Sequence, residues 1–166
     1  LSQLQLAGGD AGIDVMLISD TFAASGQEQG LFQDFDESDV PNLAKIADFA
    51  VEDGYDGPAY SYQLNGTLYN TDELDAAQAA DWSLYADSAY SGRLAFPDIA
   101  VTAGQLAVSG VASTFGDGPY DIDTAYTTIG GWAPNILQFY SSSTEVTNLL
   151  TQGEIVAADA LSGFAT

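Results

Sequence analysis

Short apolar runs separated by polar and turn-forming segments recur along the chain, and they predict strands that alternate with helices. Residues 1–6 carry leucines at helical spacing before a glycine, which predicts the last turns of an amphipathic helix. Residues 13–18 form an apolar run short enough for a buried parallel strand, and residues 19–21 supply oxygens that can cap a following helix. Helix, strand and helix in this order indicate α/β architecture.

The same alternation continues through the rest of the chain. The predicted strands are residues 59–64, 67–70, 93–96, 136–140 and 155–158. The predicted helices are residues 41–49, 81–85, 102–112, 122–129 and 142–150. The last of these opens with Ser142 and Glu145 three positions apart, the spacing of a capping box. We therefore expect an α/β fold with a mixed, mainly parallel sheet and flanking helices, in which ligands bind at the carboxyl ends of the strands.

The amino-acid composition excludes several kinds of catalytic and metal-binding site. The 166 residues include 24 Asp or Glu, two Lys or Arg and neither His nor Cys, for a formal net charge of −22. Without His and Cys there is no Ser-His-Asp or Cys-His nucleophile system and no imidazole or thiolate metal site, so we predict no catalytic residues, no metal ligands and no cofactor. Nucleic acid is disfavoured as a partner because Lys45 and Arg93 are the only basic side chains.

The balance of apolar and charged residues predicts a packed core. The hydrophobic share is 46% and the charged share 16%, which does not describe a disordered acidic tail. No apolar run approaches the length of a membrane span, so we do not expect the chain to cross a membrane. The acidity fits either a salty habitat or an ordinary solvated acidic surface, and the residues leave both open.

Polar side chains follow four of the predicted strands. They are Ser19, Asp20 and Thr21 after the first, Asp98 and Thr102, then Tyr140 and Ser142, and Ser162 after the last. Each is also an ordinary helix cap, but their recurrence at the same end of successive strands favours a small-molecule site. Tyr60 and Tyr62 alternate in a predicted strand, so they share a face that can stack on a ligand or pack in a core.

Adjacent carboxylates raise the alternative of a hydrolase. The closest pairs are Asp121 with Asp123 and Glu52 with Asp53. A glycosidase needs two carboxylates that face a sugar across several ångströms, and sequence adjacency does not supply that arrangement. A solvated acidic surface is the simpler interpretation of both pairs.

Three groups of residues, in a consistent order along the chain, carry motifs of one known family. They are residues 13–20 with 30–32 and 41–43, residues 68–72 through Trp82 to 92–98, and residues 135–143 with 150–155. The second group contains YNTD at residues 69–72 and RLAFPD at residues 93–98. Together these segments resemble ABC-transporter solute-binding proteins of the type II periplasmic-binding-protein fold, and most closely the spermidine and putrescine binders.

The resemblance implies two α/β lobes that close around a ligand and deliver it to the membrane subunits of an ABC permease. It assigns residues 1–59 to a partial first lobe, residues 60–64 to a crossing segment at the hinge, and residues 65–166 to the second lobe. The family's opening strand and helix and its returning C-terminal portion have no counterpart here, so we expect the chain to be a piece of a longer protein. The implied location is the periplasm or the cell surface.

The resemblance also assigns roles to the candidate residues. Ser19, Asp20 and Thr21 match a loop that touches ligand, Tyr60 and Tyr62 match hinge aromatics, Asp98 matches an acidic position, and Ser142 matches a hydroxyl at a helix start. Polyamine binders use carboxylates for the ammonium groups and aromatic walls for the methylenes, roles that suit Asp20, Asp98, Tyr62 and Tyr140. Where these binders carry an aromatic residue this chain has Leu161, so amino acids, other amines and a hydroxyl-bound anion stay open.

The leading hypothesis is therefore a non-enzymatic protein that captures a small solute for ABC import, with a polyamine or another small amine as its ligand. One alternative is an acidic, secreted structural or surface protein in which the same residues only cap and pack. Another is a carboxylate-pair hydrolase, which would require a cleft with two facing carboxylates.

Overall fold

The computed structural model of the protein describes residues 1–8, 11–51 and 57–164, without the side chains of Thr21 and Phe164. The chain divides into two compact units, Leu1–Tyr62 and Gln63–Thr166. The assignment of residues 1–59, 60–64 and 65–166 to two lobes and a crossing segment stays a prediction.

The first unit consists of short helices joined by irregular backbone. Helix α1 spans Ser2–Ala7 and ends at Gly8, whose φ of 59° lies in the left-handed region where glycine is favoured. Helix α2 spans Asp20–Glu28 with Ser19 as its N-cap, so the predicted helix is present and begins within residues 19–21. Two 3₁₀ turns follow, at Pro41–Lys45 and Asp48–Ala50.

Three predictions for the first sixty-odd residues are wrong in detail. Residues 13–18 and 59–64 lie in irregular backbone instead of strands, and residues 41–49 form two 3₁₀ turns instead of one α-helix. An apolar run becomes a strand only when another strand offers N–H and C=O groups to pair with it. The described part of the first unit contains no such strand.

The second unit is built on a sheet of four strands within the described residues, in the order β1-β4-β2-β3. The strands are β1 (Asn65–Tyr69), β2 (Leu94–Pro97), β3 (Ile136–Tyr140) and β4 (Ala157–Leu161). Strand β2 pairs in parallel with β3 and β4, while β1 pairs antiparallel with β4. The predicted fold class is confirmed: the protein has an α/β fold with a mixed, mainly parallel sheet.

Helices connect these strands in the way that parallel pairing requires. They are α3 (Ser83–Ala86), α4 (Thr102–Phe115), α5 (Ile122–Trp132) and α6 (Ser143–Thr151). Helices α4 and α5 lie between β2 and β3, and α6 lies between β3 and β4. No helix in the described ranges is long and apolar enough to cross a bilayer.

Two apolar clusters hold the second unit together. The larger one contains Leu94 and Phe96 of β2 and the aromatic rings of Tyr85 and Trp132, which stack with centroids 5.4 Å apart. The smaller one packs Val146 of α6 and neighbouring residues against Ala95 and Ala158 of the sheet. Because successive strand residues point to opposite faces, β2 and β4 contribute to both clusters and are buried on both sides.

Candidate functional site

A pocket of about 140 Å³ lies where strands β2, β3 and β4 end. Its walls come from the starts of α4 and α6 and from the last residues of β3 and β4. The lining residues are Val101, Thr102, Ala103, Tyr140, Ser141, Ser142, Ser143 and Leu161. The structure thus brings Thr102, Tyr140 and Ser142 together at one place. Ligand pockets are usually two or more times larger, about 300–1,000 Å³, so this one has room only for a very small solute or for part of a larger one.

The loop after β2 positions Asp98 beside this pocket. The Asp98 N–H donates to the Tyr140 carbonyl over 2.9 Å and so joins the end of β2 to the end of β3. The Asp98 carboxylate accepts the N–H of Ala100 over 2.8 Å in a tight turn. A Cβ on Gly104 would lie 2.0 Å from the Asp98 carbonyl oxygen. Glycine therefore lets the first turn of α4 approach the loop closely.

The start of α6 is fixed by the predicted capping box. The Ser142 hydroxyl accepts the N–H of Glu145, and the Glu145 carboxylate accepts the N–H of Ser142 over 3.1 Å. The same carboxylate also accepts the N–H of Ser141 over 2.7 Å. These bonds satisfy backbone donors at the helix start and hold the serine run at the pocket wall.

Tyr140 is one of the residues that line the pocket, and its hydroxyl is held inside the protein. The residue is 3% exposed. Its hydroxyl donates to the main-chain carbonyl of Asp159 over 2.7 Å. Burial, and secondarily the negative charge of Asp159, raise the pKa of this phenol, so it stays neutral near pH 7. The Tyr140 hydroxyl is therefore hydrogen-bonded to the main chain of β4.

Ser162 lies just past β4 and closes the end of the β1–β4 pair. Its N–H donates to the carbonyl of Leu64 over 2.7 Å, and its hydroxyl accepts the N–H of Leu64 over 3.0 Å. It is not among the residues that line the pocket. Ser162 therefore extends the antiparallel pairing by one position beyond Asn65 and Leu161.

The remaining predicted residues belong to the first unit. Ser19 is the N-cap of α2, and its carbonyl accepts the N–H groups of Phe22 and Ala23. Asp20 begins α2 and is exposed, whereas the side chain of Thr21 lies outside the described residues. Tyr60 and Tyr62 are 67% and 75% exposed. The ring of Tyr62 meets that of Phe49 edge-on, with centroids 5.6 Å apart.

Of the two adjacent carboxylate pairs, that of Asp121 and Asp123 lies within the described residues. Asp121 is the N-cap of α5 and accepts the N–H groups of Asp117 and Thr124 over 3.1 and 3.3 Å. These hydrogen bonds, that of Asp117 first, lower the pKa of the Asp121 carboxyl. Asp121 is thus occupied by helix capping. Glu52 and Asp53 lie outside the described residues.

One polar pair joins β1 and β4 and is not predicted by the sequence pattern. Asp159 lies in the middle of β4, is 1% exposed, and accepts a hydrogen bond of 2.7 Å from the amide of Asn65. An acidic residue inside an apolar strand indicates a buried carboxylate, and a buried carboxylate needs a polar partner. That partner could not be identified from the sequence, since Asn65 stands 94 positions earlier.

A family profile matches almost the entire chain. The family is described as bacterial extracellular solute-binding protein, and the match covers residues 2–163. No curated protein sequence matches the chain. The family match covers both compact units.

Solved structures of transport proteins have a similar fold. An ABC transporter protein from Clostridium perfringens is 30% identical with a TM-score of 0.65, over 86% of this chain and 46% of that one. The ferric binding protein from Campylobacter jejuni is 13% identical with a TM-score of 0.74, over 97% and 50%. A spermidine/putrescine substrate-binding protein from Streptococcus pneumoniae is 17% identical with a TM-score of 0.61, over 86% and 45%. The chain thus spans about half the length of these proteins.

Proposed function

We propose, from the premise that this chain belongs to the bacterial extracellular solute-binding proteins, that it takes part in capturing a small solute for an ABC importer. The family is extracellular or periplasmic, and the predicted location is confirmed in those terms. We further propose that the protein binds its solute without chemical change and hands it to the membrane subunits of a permease. The division of the chain into two lobes belongs to the same proposal.

The pocket at the carboxyl ends of β2, β3 and β4 is the observation that carries this proposal. Open α/β sheets bind ligands outside the carboxyl ends of their strands, because loops and helix starts converge there. Three residues selected from the sequence, Thr102, Tyr140 and Ser142, line that pocket. In the alternative of an acidic structural or surface protein, the polar residues at the strand ends would only cap helices, and nothing would require them to line one pocket.

A small amine is the solute that the charges favour. The net charge of −22 raises the local concentration of cations and opposes the entry of anions. Asp98 places a carboxylate beside the pocket-lining start of α4, where it can accept hydrogen bonds from an ammonium group. We assign the amine contact in the second unit to Asp98. In the first unit we assign Asp20 to an ammonium group, and Tyr60 and Tyr62 to the solute's methylenes.

A second candidate, a small anion, is favoured by the lining itself. None of the eight lining residues carries a charge, and hydroxyls come from Thr102 and the serine run. Helix α4 begins there without a side-chain cap, so its first N–H groups can receive an anion. That attraction is worth only about 0.3–1 kcal/mol at an exposed helix start, and the field of the acidic protein works against it. The amine is therefore the stronger proposal.

Calorimetric titration tests both candidates on the protein expressed from its complete reading frame. Putrescine, spermidine, an amino acid, ferric iron and phosphate are added in separate titrations. We expect saturable binding of an amine and none of phosphate. Binding of phosphate alone would favour the anion over the amine as the solute. Saturable binding of none of the five would contradict both proposed solute classes.

Asp98→Asn is the sharpest variant for the amine. Asparagine keeps the side-chain oxygen that accepts the N–H of Ala100 and removes only the negative charge. Because hydrogen bonds to charged groups contribute about 1.5–3 kcal/mol, we expect amine affinity to fall roughly 10- to 100-fold in calorimetry.

Asp72→Asn is the matched control, since it removes one charge from an exposed turn of the same unit. We expect it to leave amine affinity nearly unchanged. Equal losses in the two variants would show that only the overall charge matters, and would remove Asp98 from the site.

A further inference from the structure

The Asn65–Asp159 pair contains a buried polar atom that the ionised form of Asp159 leaves unsatisfied. The Asn65 amide donates through Nδ2 to Oδ1 of Asp159 over 2.7 Å. The other end of the same amide, Oδ1 of Asn65, is buried and has no hydrogen-bond partner among the described residues. A buried carbonyl oxygen without a hydrogen-bond donor costs free energy, so we expect a neighbouring group to donate to it.

A proton on Asp159 resolves this. An ionised carboxylate only accepts hydrogen bonds, whereas a protonated one has an O–H that donates. A carboxylic acid and a primary amide can then form two antiparallel hydrogen bonds, N–H to carbonyl in one direction and O–H to carbonyl in the other. The deficit at Asn65 therefore matches the single donor that protonation of Asp159 adds. The burial of Asp159, at 1% exposure, favours the neutral form in the same direction.

The pair lies next to the residues that border the candidate pocket. Asn65 is opposite Leu161 in the β1–β4 pairing, and Asp159 precedes Leu161 by two positions, so all three side chains point to one face of the sheet. Leu161 lines the pocket, and so does Tyr140, whose hydroxyl donates to the Asp159 main-chain carbonyl over 2.7 Å. A shift of β4 at Asp159 would thus reach the pocket through the hydrogen bond from Tyr140 and along the strand through Leu161.

We propose that Asp159 is held as the neutral acid with its O–H donated to Oδ1 of Asn65, and that loss of this proton to solvent loosens the end of β4 that borders the pocket. The protonation state of this pair then determines how firmly the end of β4 is held at the pocket wall. Acidification tightens the wall and alkalinisation weakens it. This role concerns the folded second unit itself and does not depend on which solute binds.

Few other groups can titrate near this pair. The groups that interact electrostatically with Asp159 are the phenols of Tyr85 in α3 and Tyr140 in β3. Burial raises the pKa of both, so they stay neutral through pH 8. Strand β2 and helix α4, which pack on β4, carry no titratable side chain, while α6 carries Glu145 and β1 carries Tyr69. The Glu145 carboxylate is bound by N–H groups at the start of its own helix.

The direction of the pH effect follows from the difference between the folded and unfolded states. Burial raises the pKa of Asp159 from an ordinary 3.8 to about 7, against a smaller lowering by Asn65. The stability that Asp159 contributes is then full below the unfolded pKa, falls as pH rises from about 4 to 7, and levels off above. The affected window covers neutral pH.

Carbon-13 NMR of the side-chain carboxyl of Asp159 in the wild-type chain tests the first half of the proposal. We expect a midpoint near pH 7; a midpoint near pH 3.8 would overturn it. The amide signals of Leu161 and Ser162 test the second half in the same samples. They should shift with the midpoint of Asp159, and amide signals that do not follow it would show that ionisation leaves the pocket wall unchanged.

Asp159→Asn supplies a permanent mimic of the neutral acid, because its amide can both accept from and donate to Asn65. We expect the melting temperature of this variant, followed by circular dichroism, to exceed that of the wild type by at least about 5 °C at pH 8 and to approach it at pH 5. For Asp72→Asn, which removes an exposed charge, the difference in melting temperature from the wild type should be the same at pH 5 and pH 8. Equal pH profiles for wild type and Asp159→Asn would also overturn the proposal.

Discussion

Gly104 and Asp98 are in close contact where α4 begins, at the edge of the pocket. Any side chain on Gly104 would meet the main chain of residues 98 and 99, with the nearest atom 2.0 Å from the added carbon. Backbone atoms at a strand end cannot move aside as a flexible side chain would. The lack of a side chain at position 104 therefore sets how near the start of α4, which lines the pocket, comes to Asp98.

Gly104→Ala should destabilise the protein by about 1–3 kcal/mol, because the added methyl overpacks this contact. Gly130→Ala is the control, since a methyl on that helical residue of α5 meets nothing within 4 Å. There alanine should stabilise by roughly 0.5–1 kcal/mol through its higher helix propensity. Urea unfolding followed by circular dichroism measures both changes. Similar gains at the two positions would show that the contact at Gly104 relaxes without cost.

At the scale of elements, the sequence predicted best those segments whose partners lie in the same unit. The strands at β2 and β3 were predicted to within a residue, and β4 was predicted to begin two and to end three residues too early. Residues 13–18 are as apolar as any of these, yet they form no strand because pairing is a property of neighbours and not of the run itself. Residues 59–64 fail for the same reason, and regular pairing begins only at Asn65.

The candidate site divides along the same line. Thr102, Tyr140 and Ser142 were found because position after a strand is visible in sequence and carboxyl ends converge in a parallel sheet. The contact between Asn65 and Asp159 could not be predicted, because the antiparallel register between two segments 94 residues apart has no local signal in the sequence. Tyr140 was predicted as part of an aromatic wall, and nothing in the sequence indicated that its hydroxyl donates to the main-chain carbonyl of Asp159 in β4.

The capping box of α6 gives a prediction at this scale. Ser142→Ala removes the hydroxyl that accepts the N–H of Glu145, and caps of this kind contribute about 0.5–2 kcal/mol. We expect a loss of about 1 kcal/mol in the free energy of unfolding. Thr144→Ala, at an exposed position in the first turn of the same helix, should cost less. If the two variants unfold at the same urea concentration, the box adds nothing beyond ordinary helix propensity.

At the scale of the whole molecule, uncompensated negative charge is the dominant feature. Of the two basic residues, Arg93 is bound to the Glu73 carboxylate at 2.7 and 3.0 Å, and Lys45 contacts the side chain of Asn42. The remaining acidic side chains repel one another, and this repulsion works against the compact state. The bond to Arg93 lowers the pKa of Glu73, but an exposed pair of this kind contributes little to stability.

Salt should therefore stabilise this protein. Raising sodium chloride from about 0.01 M to 0.15 M shortens the screening length from about 30 Å to 8 Å, which removes most of the repulsion between distant carboxylates. We expect the melting temperature to rise over this range and to rise equally in potassium chloride. A response to one of the two cations only would indicate a specific ion site, and a constant or falling melting temperature would contradict the repulsion argument.

The aromatic cluster of the second unit has an optical consequence. The chain has two tryptophans, Trp82 and Trp132, and their rings stack with centroids 5.9 Å apart beside Tyr85 and Phe96. Selectively excited indole emission therefore reports on Gln63–Thr166 alone, with the two fluorophores close enough to exchange excitation energy. Leu1–Tyr62 contributes no such signal. Selectively excited indole emission thus originates in the sheet-bearing unit, and a dye or a new indole would be needed to observe the other unit in the same way.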